Sequence, residues 1–226
     1  MTPAIERVLL ATSIGLPFFA VLVLSLGAWL ARKWPESVIH RLATWALLLS
    51  FACNLALGVG VVLRGGQPFA WSLPGWFGVG QYHFPLALVA DGLSAPFSIF
   101  ASGLLVITSK FSSGYLHREP GFLRYYLLLC LFGGAVELAI LAGSLDFLLF
   151  GWELVGFTSV LLIAFFHERS APVSHGLRTF VVYRVCDVGL LGAAVWLHHS
   201  AHGTTASARR PRPISTKITP TCVIDA

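Results

Sequence analysis

The chain has 226 residues, 56% of them hydrophobic and only 11% charged, with a mean hydropathy of +0.79. Soluble globular domains carry about 25% charged residues, so the composition excludes that class and predicts an all-α polytopic transmembrane helix bundle. In such a chain the formal net charge of +5 does not point to nucleic acid; the positions of the basic residues report orientation instead.

The first apolar run covers residues 8–30 and ends at Arg32-Lys33-Trp34-Pro35. Ser25-Leu26-Gly27 imitates a signal-peptidase site, but the run is long and more spans follow, which predicts a retained span. The second run is 42–63. Residues 67–89 have another texture, rich in Gly, Pro and aromatics with short alternating pieces. They predict an extra-membrane hairpin between spans two and three, with Trp71, Trp76 and Tyr82 suited to the headgroup layer. Four further runs follow at 92–108, 122–142, 145–166 and 174–197. All are expected to be helices, because in lipid a single segment satisfies its own backbone only as a helix. Asp91-Gly92-Leu93-Ser94 fits a helix start, the acid complementing the positive end of the dipole.

The first, third and fifth links carry Arg32, Lys33, Arg41, Lys110, Arg118, Arg124, Arg169 and Arg178, whereas the opposite side has only Arg7 and Arg64 before the tail. By the positive-inside rule the odd links are cytoplasmic and the N-terminus is outside. From about His198 the composition turns to Arg, Pro, Ser and Thr. Two regions are therefore expected: a transmembrane domain over 1–199 and a disordered tail over 200–226. The tail puts Arg209, Arg210, Arg212 and Lys217 on the outer side, against the chain's own bias, as an appended segment would.

The fifth run holds Glu153 in its middle, within Leu149-Phe150-Gly151-Trp152-Glu153-Leu154-Val155-Gly156. Insertion scales put a charge at a helix centre at roughly 2.5–3.5 kcal/mol unfavourable, so this acid needs a partner or a proton. Counting from the turns near Ser144 and Ser170 places Glu137, Glu153 and Asp187 at nearly one depth on three consecutive antiparallel helices. Arg184 lies one turn from Asp187, within reach of an i,i+3 ion pair. Carboxylates at one depth beside a guanidinium compete for protons, and such a set predicts a proton relay formed by Glu153, Asp187, Arg184 and Glu137. The structural alternative is a neutralised Arg184–Asp187 pair that orients the sixth span.

Other residues carry less. Cys53, Cys130, Cys186 and Cys222 are far apart, without metal-ligand spacing, and read as small buried hydrophobes. Asp91 and Asp146 lie near span ends; His117 and His167 lie in loops; His198, His199 and His202 stand at the start of the tail. Gly133-Gly134, Gly151 and Gly156 predict close helix packing. With no phosphate loop, dinucleotide fingerprint, or iron–sulfur or haem pattern, no cofactor, metal or redox centre is expected in the chain.

Asp91-Gly92-Leu93-Ser94, Phe111-Ser112-Ser113-Gly114-Tyr115-Leu116, the Trp152–Glu153 segment and Arg184-Val185-Cys186-Asp187 stand in an order and spacing that resemble the large antiporter-like (NuoL-type) subunit of respiratory complex I. The resemblance covers about residues 8–199, and the Trp152–Glu153 motif is its most specific part. It implies that Glu153 is an essential proton-relay carboxylate with Arg184 and Asp187 beside it. It also implies a bacterial-type inner membrane, an N-terminus outside, and other membrane subunits of an NADH:quinone oxidoreductase as partners. Similar signatures occur in MrpA-type cation/proton antiporters and DabB-type inorganic-carbon transporters. Family members usually carry histidine where Ser109 stands, and aliphatic residues near Glu137 and Asp146. They also continue into broken helices with central lysines, the partners of the glutamate. The expectation is therefore a chain cut short near His202, unable to translocate by itself. The alternative from another class is a non-translocating membrane bundle.

Overall fold

The computed structural model describes residues 3–30, 34–79 and 82–200, with side chains throughout except at positions 3, 73–79, 82–85 and 198. Among these residues the elements run α1 (Pro3–Trp29), α2 (Glu36–Leu63), β1 (Phe69–Val79), β2 (Tyr82–Ala90), α3 (Ser94–Tyr115), α4 (Phe122–Ile140), α5 (Leu145–Ile163) and α6 (Ser170–Ser200). All six helices are long and apolar enough to cross a membrane. Several outrun the apolar segments that mark them: α2 begins at Glu36 and α3 reaches Tyr115. Hydropathy marks only the part suited to hydrocarbon, while each added residue still gains a backbone hydrogen bond beyond it. At the start of α3, Asp91 Oδ1 accepts from the backbone N–H of Leu93 at 3.0 Å and of Ser94 at 2.8 Å.

The links gather at opposite ends of the bundle. At one end Glu36 Oε2 lies 2.8 Å from His117 Nδ1, and Glu36 Oε1 accepts from Arg118 N at 3.1 Å. Arg118 has a φ of 66°, an uncommon left-handed conformation for a residue with a Cβ, and that bond holds it. Arg124 Nη2 donates to the Phe165 carbonyl at 2.8 Å, tying the third link to the fifth. At the other end Arg64 pairs with Glu6. There β2 also bonds the α4–α5 turn, with Val89 N donating to Leu141 O at 2.8 Å and Gly143 N to Ala87 O at 2.7 Å. Successive helices thus alternate in direction.

The hairpin is antiparallel, pairing Phe69 with Ala90 at its base and shifting register between Leu73 and Phe77. Its base is not a free loop: Phe69, Leu88 and Ala90 are buried against Leu10, Leu57, Val61 and Leu138. Trp71 packs at the edge of that cluster; the side chains of Trp76 and Tyr82 lie outside the described residues. A second cluster, around Ala43, Leu47, Leu105, Phe122 and Tyr126, fills the bundle toward the other end.

Helices α1 to α4 form the packed body. Helix α6 leans on α5 and leaves Val181, Val185, Val188, Leu191 and Val195 exposed. The cysteines depart from the expectation of burial: Cys130 is buried, Cys53 is half-buried and Cys186 is exposed on α6. Cys222, His202 and the basic residues of the expected tail lie outside the described residues, as does the side chain of His198.

Candidate functional site

Close contact between α5 and its two neighbours positions the acids. A Cβ on Gly151 would stand 2.7 Å from Ala139 N, so α4 and α5 approach there to backbone contact. A Cβ on Gly156 would stand 3.0 Å from Tyr183 Cδ1, which brings α6 equally near on another face. Glu137 precedes Ala139 by two residues and Glu153 follows Gly151 by two. On antiparallel helices both steps run the same way, so the two acids share a level. Two residues also turn a helix by about 200°, so each acid points away from the shared seam. Equal depth therefore does not bring them together.

Glu153 instead meets α6. Arg184 Nη2 donates to Glu153 Oε2 at 2.5 Å. The same Nη2 lies 3.0 Å from Asp187 Oδ2, one turn along its own helix. That second contact is electrostatic, because Asp187 Oδ2 accepts no hydrogen bond. Trp152 Nε1 donates to the other oxygen, Asp187 Oδ1, at 3.0 Å. Residues 152 and 153 thus reach the Arg184–Asp187 pair together, the indole holding the acid and the carboxylate holding the base. The Phe180 ring lies 5.3 Å from Arg184 Cζ and supports the guanidinium from the preceding turn.

Burial is uneven. The Asp187 side chain is 5% exposed, whereas those of Glu153 and Arg184 are 34% and 41% exposed on the open side of α5 and α6. The set holds two carboxyl groups and one guanidinium, so an added proton makes it neutral. The shared Nη2 gives Arg184 two alternative anionic partners without any movement of a helix.

Of the four residues expected in the relay, the fold joins Glu153, Arg184 and Asp187. Glu137 has no hydrogen bond to them and faces Asn54 of α2. Trp152 as the hydrogen-bond donor to Asp187 was not anticipated. Its place beside Glu153 was the available signal, but indoles are common in membrane helices and that signal alone is weak. The Glu6–Arg64 and Glu36–His117 pairs were also not anticipated, since their members are 58 and 81 residues apart in the chain.

Two family models match the chain. One, described as NADH-Ubiquinone oxidoreductase (complex I), chain 5 N-terminus, covers residues 76–126. The other, described as NADH:quinone oxidoreductase/Mrp antiporter, TM, covers residues 142–208 and so includes the Glu153–Arg184–Asp187 cluster. Subunit L of the NADH-quinone oxidoreductase of Escherichia coli is 29% identical over 196 residues, 87% of this chain and 31% of that protein. Chain 5 of the NAD(P)H-quinone oxidoreductase of Picosynechococcus sp. is 28% identical over 179 residues, 78% of this chain and 27% of that protein. Its counterpart in Synechocystis sp. is 33% identical over 116 residues, 51% of this chain and 17% of that protein. The chain thus spans at most about a third of the length of these relatives. With six membrane-length helices among the described residues and both family models matching in order, the chain is similar to the antiporter-like membrane subunits of NADH:quinone oxidoreductases and Mrp antiporters.

Proposed function

We propose that this chain forms part of a proton-translocating membrane subunit of an NADH:quinone oxidoreductase, and that Glu153 is its relay acid. The observation that carries the reading is the single guanidinium nitrogen of Arg184 shared between Glu153 and Asp187. When Glu153 takes a proton, its attraction for Arg184 falls and the arginine shifts its weight to Asp187. Trp152 keeps Asp187 in place meanwhile. When the proton leaves, Arg184 returns. A proton on one residue is thereby converted into the displacement of a positive charge, which a neighbouring group senses. The partly exposed flank of Glu153 and Arg184 is where such a neighbour belongs.

In this reading the chain takes part in pumping, and the redox step belongs to other membrane-associated subunits of the complex. It lies in a bacterial-type inner membrane, its apolar flanks against lipid and partner subunits, with the N-terminus and hairpin outside. Support for the orientation comes from Arg41, Lys110, Arg118, Arg124, Arg169 and Arg178 gathering at one end and Arg7 and Arg64 at the other. A second reading, an Mrp-type cation/proton antiporter subunit, is favoured by the family model over α5 and α6, whose description names both.

In membrane vesicles carrying the full-length subunit, Glu153→Gln is expected to leave the protein in the membrane and remove most coupled proton transport. Loss of NADH-driven pumping supports the oxidoreductase reading, and loss of sodium-driven proton exchange supports the antiporter. Near-normal transport in the mutant sinks the relay.

A further inference from the structure

Glu137 is left over from that mechanism. It is 1% exposed, and neither carboxyl oxygen accepts a hydrogen bond from any side chain, basic ones included. It lies on one face of α4 with Tyr126, Cys130 and Gly133, at spacings of four, three and four residues. This face meets α2 and α3 in three layers.

The first layer is polar. His40 Nδ1 lies 3.1 Å from both the Tyr126 hydroxyl and Thr44 Oγ1, and Thr44 Oγ1 lies 2.7 Å from Ser109 Oγ. Tyr126 OH donates to the Ser109 carbonyl at 2.8 Å. The middle layer is apolar. Leu47 and Leu105 are buried, and each has a methyl carbon 3.1 Å from where a Cβ on Gly133 would stand. The third layer is polar again: Asn54 Nδ2 donates to Ser102 Oγ at 3.2 Å, and the Asn54 amide faces Glu137.

The direction of the bonds in the third layer is informative. Ser102 donates its proton to the Ser98 carbonyl at 2.6 Å, so its oxygen is free to accept from Asn54. That assignment sets the amide's orientation and leaves Asn54 Oδ1 buried without a donor. Three buried oxygens, two on Glu137 and one on Asn54, therefore lack a hydrogen. An ionised carboxylate there would be a desolvated charge without a cation, the costliest arrangement a bundle interior offers. A proton on Glu137 removes the charge.

We propose that Glu137 is a second proton-binding site, occupied in the resting protein, and that it exchanges its proton through the α2–α3–α4 seam across the Leu47–Leu105 layer. The step makes and breaks one O–H bond, the proton coming from and returning to water or a hydroxyl in the seam. The titratable side chains on this path are His40, Tyr126 and Cys130, with Arg41 and Lys110 near His40. Helix α1 presents the Phe18 ring to Gly134, and α5 presents Gly151 to Ala139. The site is independent of the relay at Glu153, which faces away from it.

Infrared difference spectra of the chain in lipid, recorded on transfer to heavy water, test this. The wild type is expected to show a protonated-carboxyl band that shifts with isotopically labelled glutamate. The band should vanish in Glu137→Gln, persist in Glu153→Gln and move to higher frequency in Asn54→Leu. Its deuterium exchange should be severalfold faster in Leu105→Ser and unchanged in Glu153→Gln. Should Glu137→Gln not fold, the label and the Asn54→Leu shift still identify the acid. A wild type without such a band overturns the proposal. So does a band that survives Glu137→Gln, or exchange that follows Glu153→Gln and ignores Leu105→Ser.

Discussion

The Tyr183 ring of α6 lies against the bare Cα of Gly156 on α5, where a Cβ would stand 3.0 Å from Cδ1 and 3.3 Å from Cε1. Tyr183 precedes Arg184, and Gly156 follows Glu153 by about one turn. The contact therefore sets the spacing across which Arg184 reaches Glu153 at 2.5 Å.

Widening that spacing should break the bridge. Gly156→Val is expected to push α6 outward, destabilise the packing by about 1–3 kcal/mol and lower coupled proton transport in the full-length subunit. Gly156→Ala should be milder, since the ring must yield only a few tenths of an ångström. Thermal unfolding in detergent and vesicle pumping measure the two effects. Wild-type transport in the valine variant would show that another contact sets the spacing.

The Trp152 indole is expected to act through Asp187. Trp152→Phe keeps the ring and removes the donor of a 3.0 Å bond to a carboxylate, a loss of about 1.5–3 kcal/mol for a hydrogen bond to a charged group. Combined with Asp187→Leu, which removes the acceptor, the two losses should be clearly less than additive, because both remove the same hydrogen bond. A double-mutant cycle on thermal stability and proton transport checks this. Strict additivity would mean that the indole only fills space.

Orientation is testable by labelling single introduced cysteines. Positions Ser37 and Ser170 are exposed, and Ser113 is half-buried, at the end where the odd links gather; Gly78 lies in β1 of the hairpin at the other end. A membrane-impermeant thiol reagent should reach Ser37→Cys, Ser113→Cys and Ser170→Cys only from the cytoplasmic side, and Gly78→Cys only from outside. The reverse pattern would invert the topology.

Hydropathy alone located six spans, because leaving water is the dominant free energy of each segment and needs no knowledge of its neighbours; the hairpin was legible from the Gly, Pro and aromatic alternation of residues 67–89. Turn positions then set the depth of Glu137, Glu153 and Asp187, since rise per residue is a property of the helix itself. Arg184 and Asp187 were legible as a pair for the same reason, being one turn apart on a single helix. Rotation about the helix axis was not legible. A helix that is apolar all round has no polar face to betray which side meets protein and which meets lipid. Only packing decided it: Gly151 against Ala139 and Gly156 against Tyr183 turned Glu153 toward Arg184. The same contacts turned Glu137 toward Asn54, into a different part of the bundle. Three acids at one level became one ion-paired cluster and one solitary carboxyl group because depth is local to a helix, whereas facing is a property of the assembly.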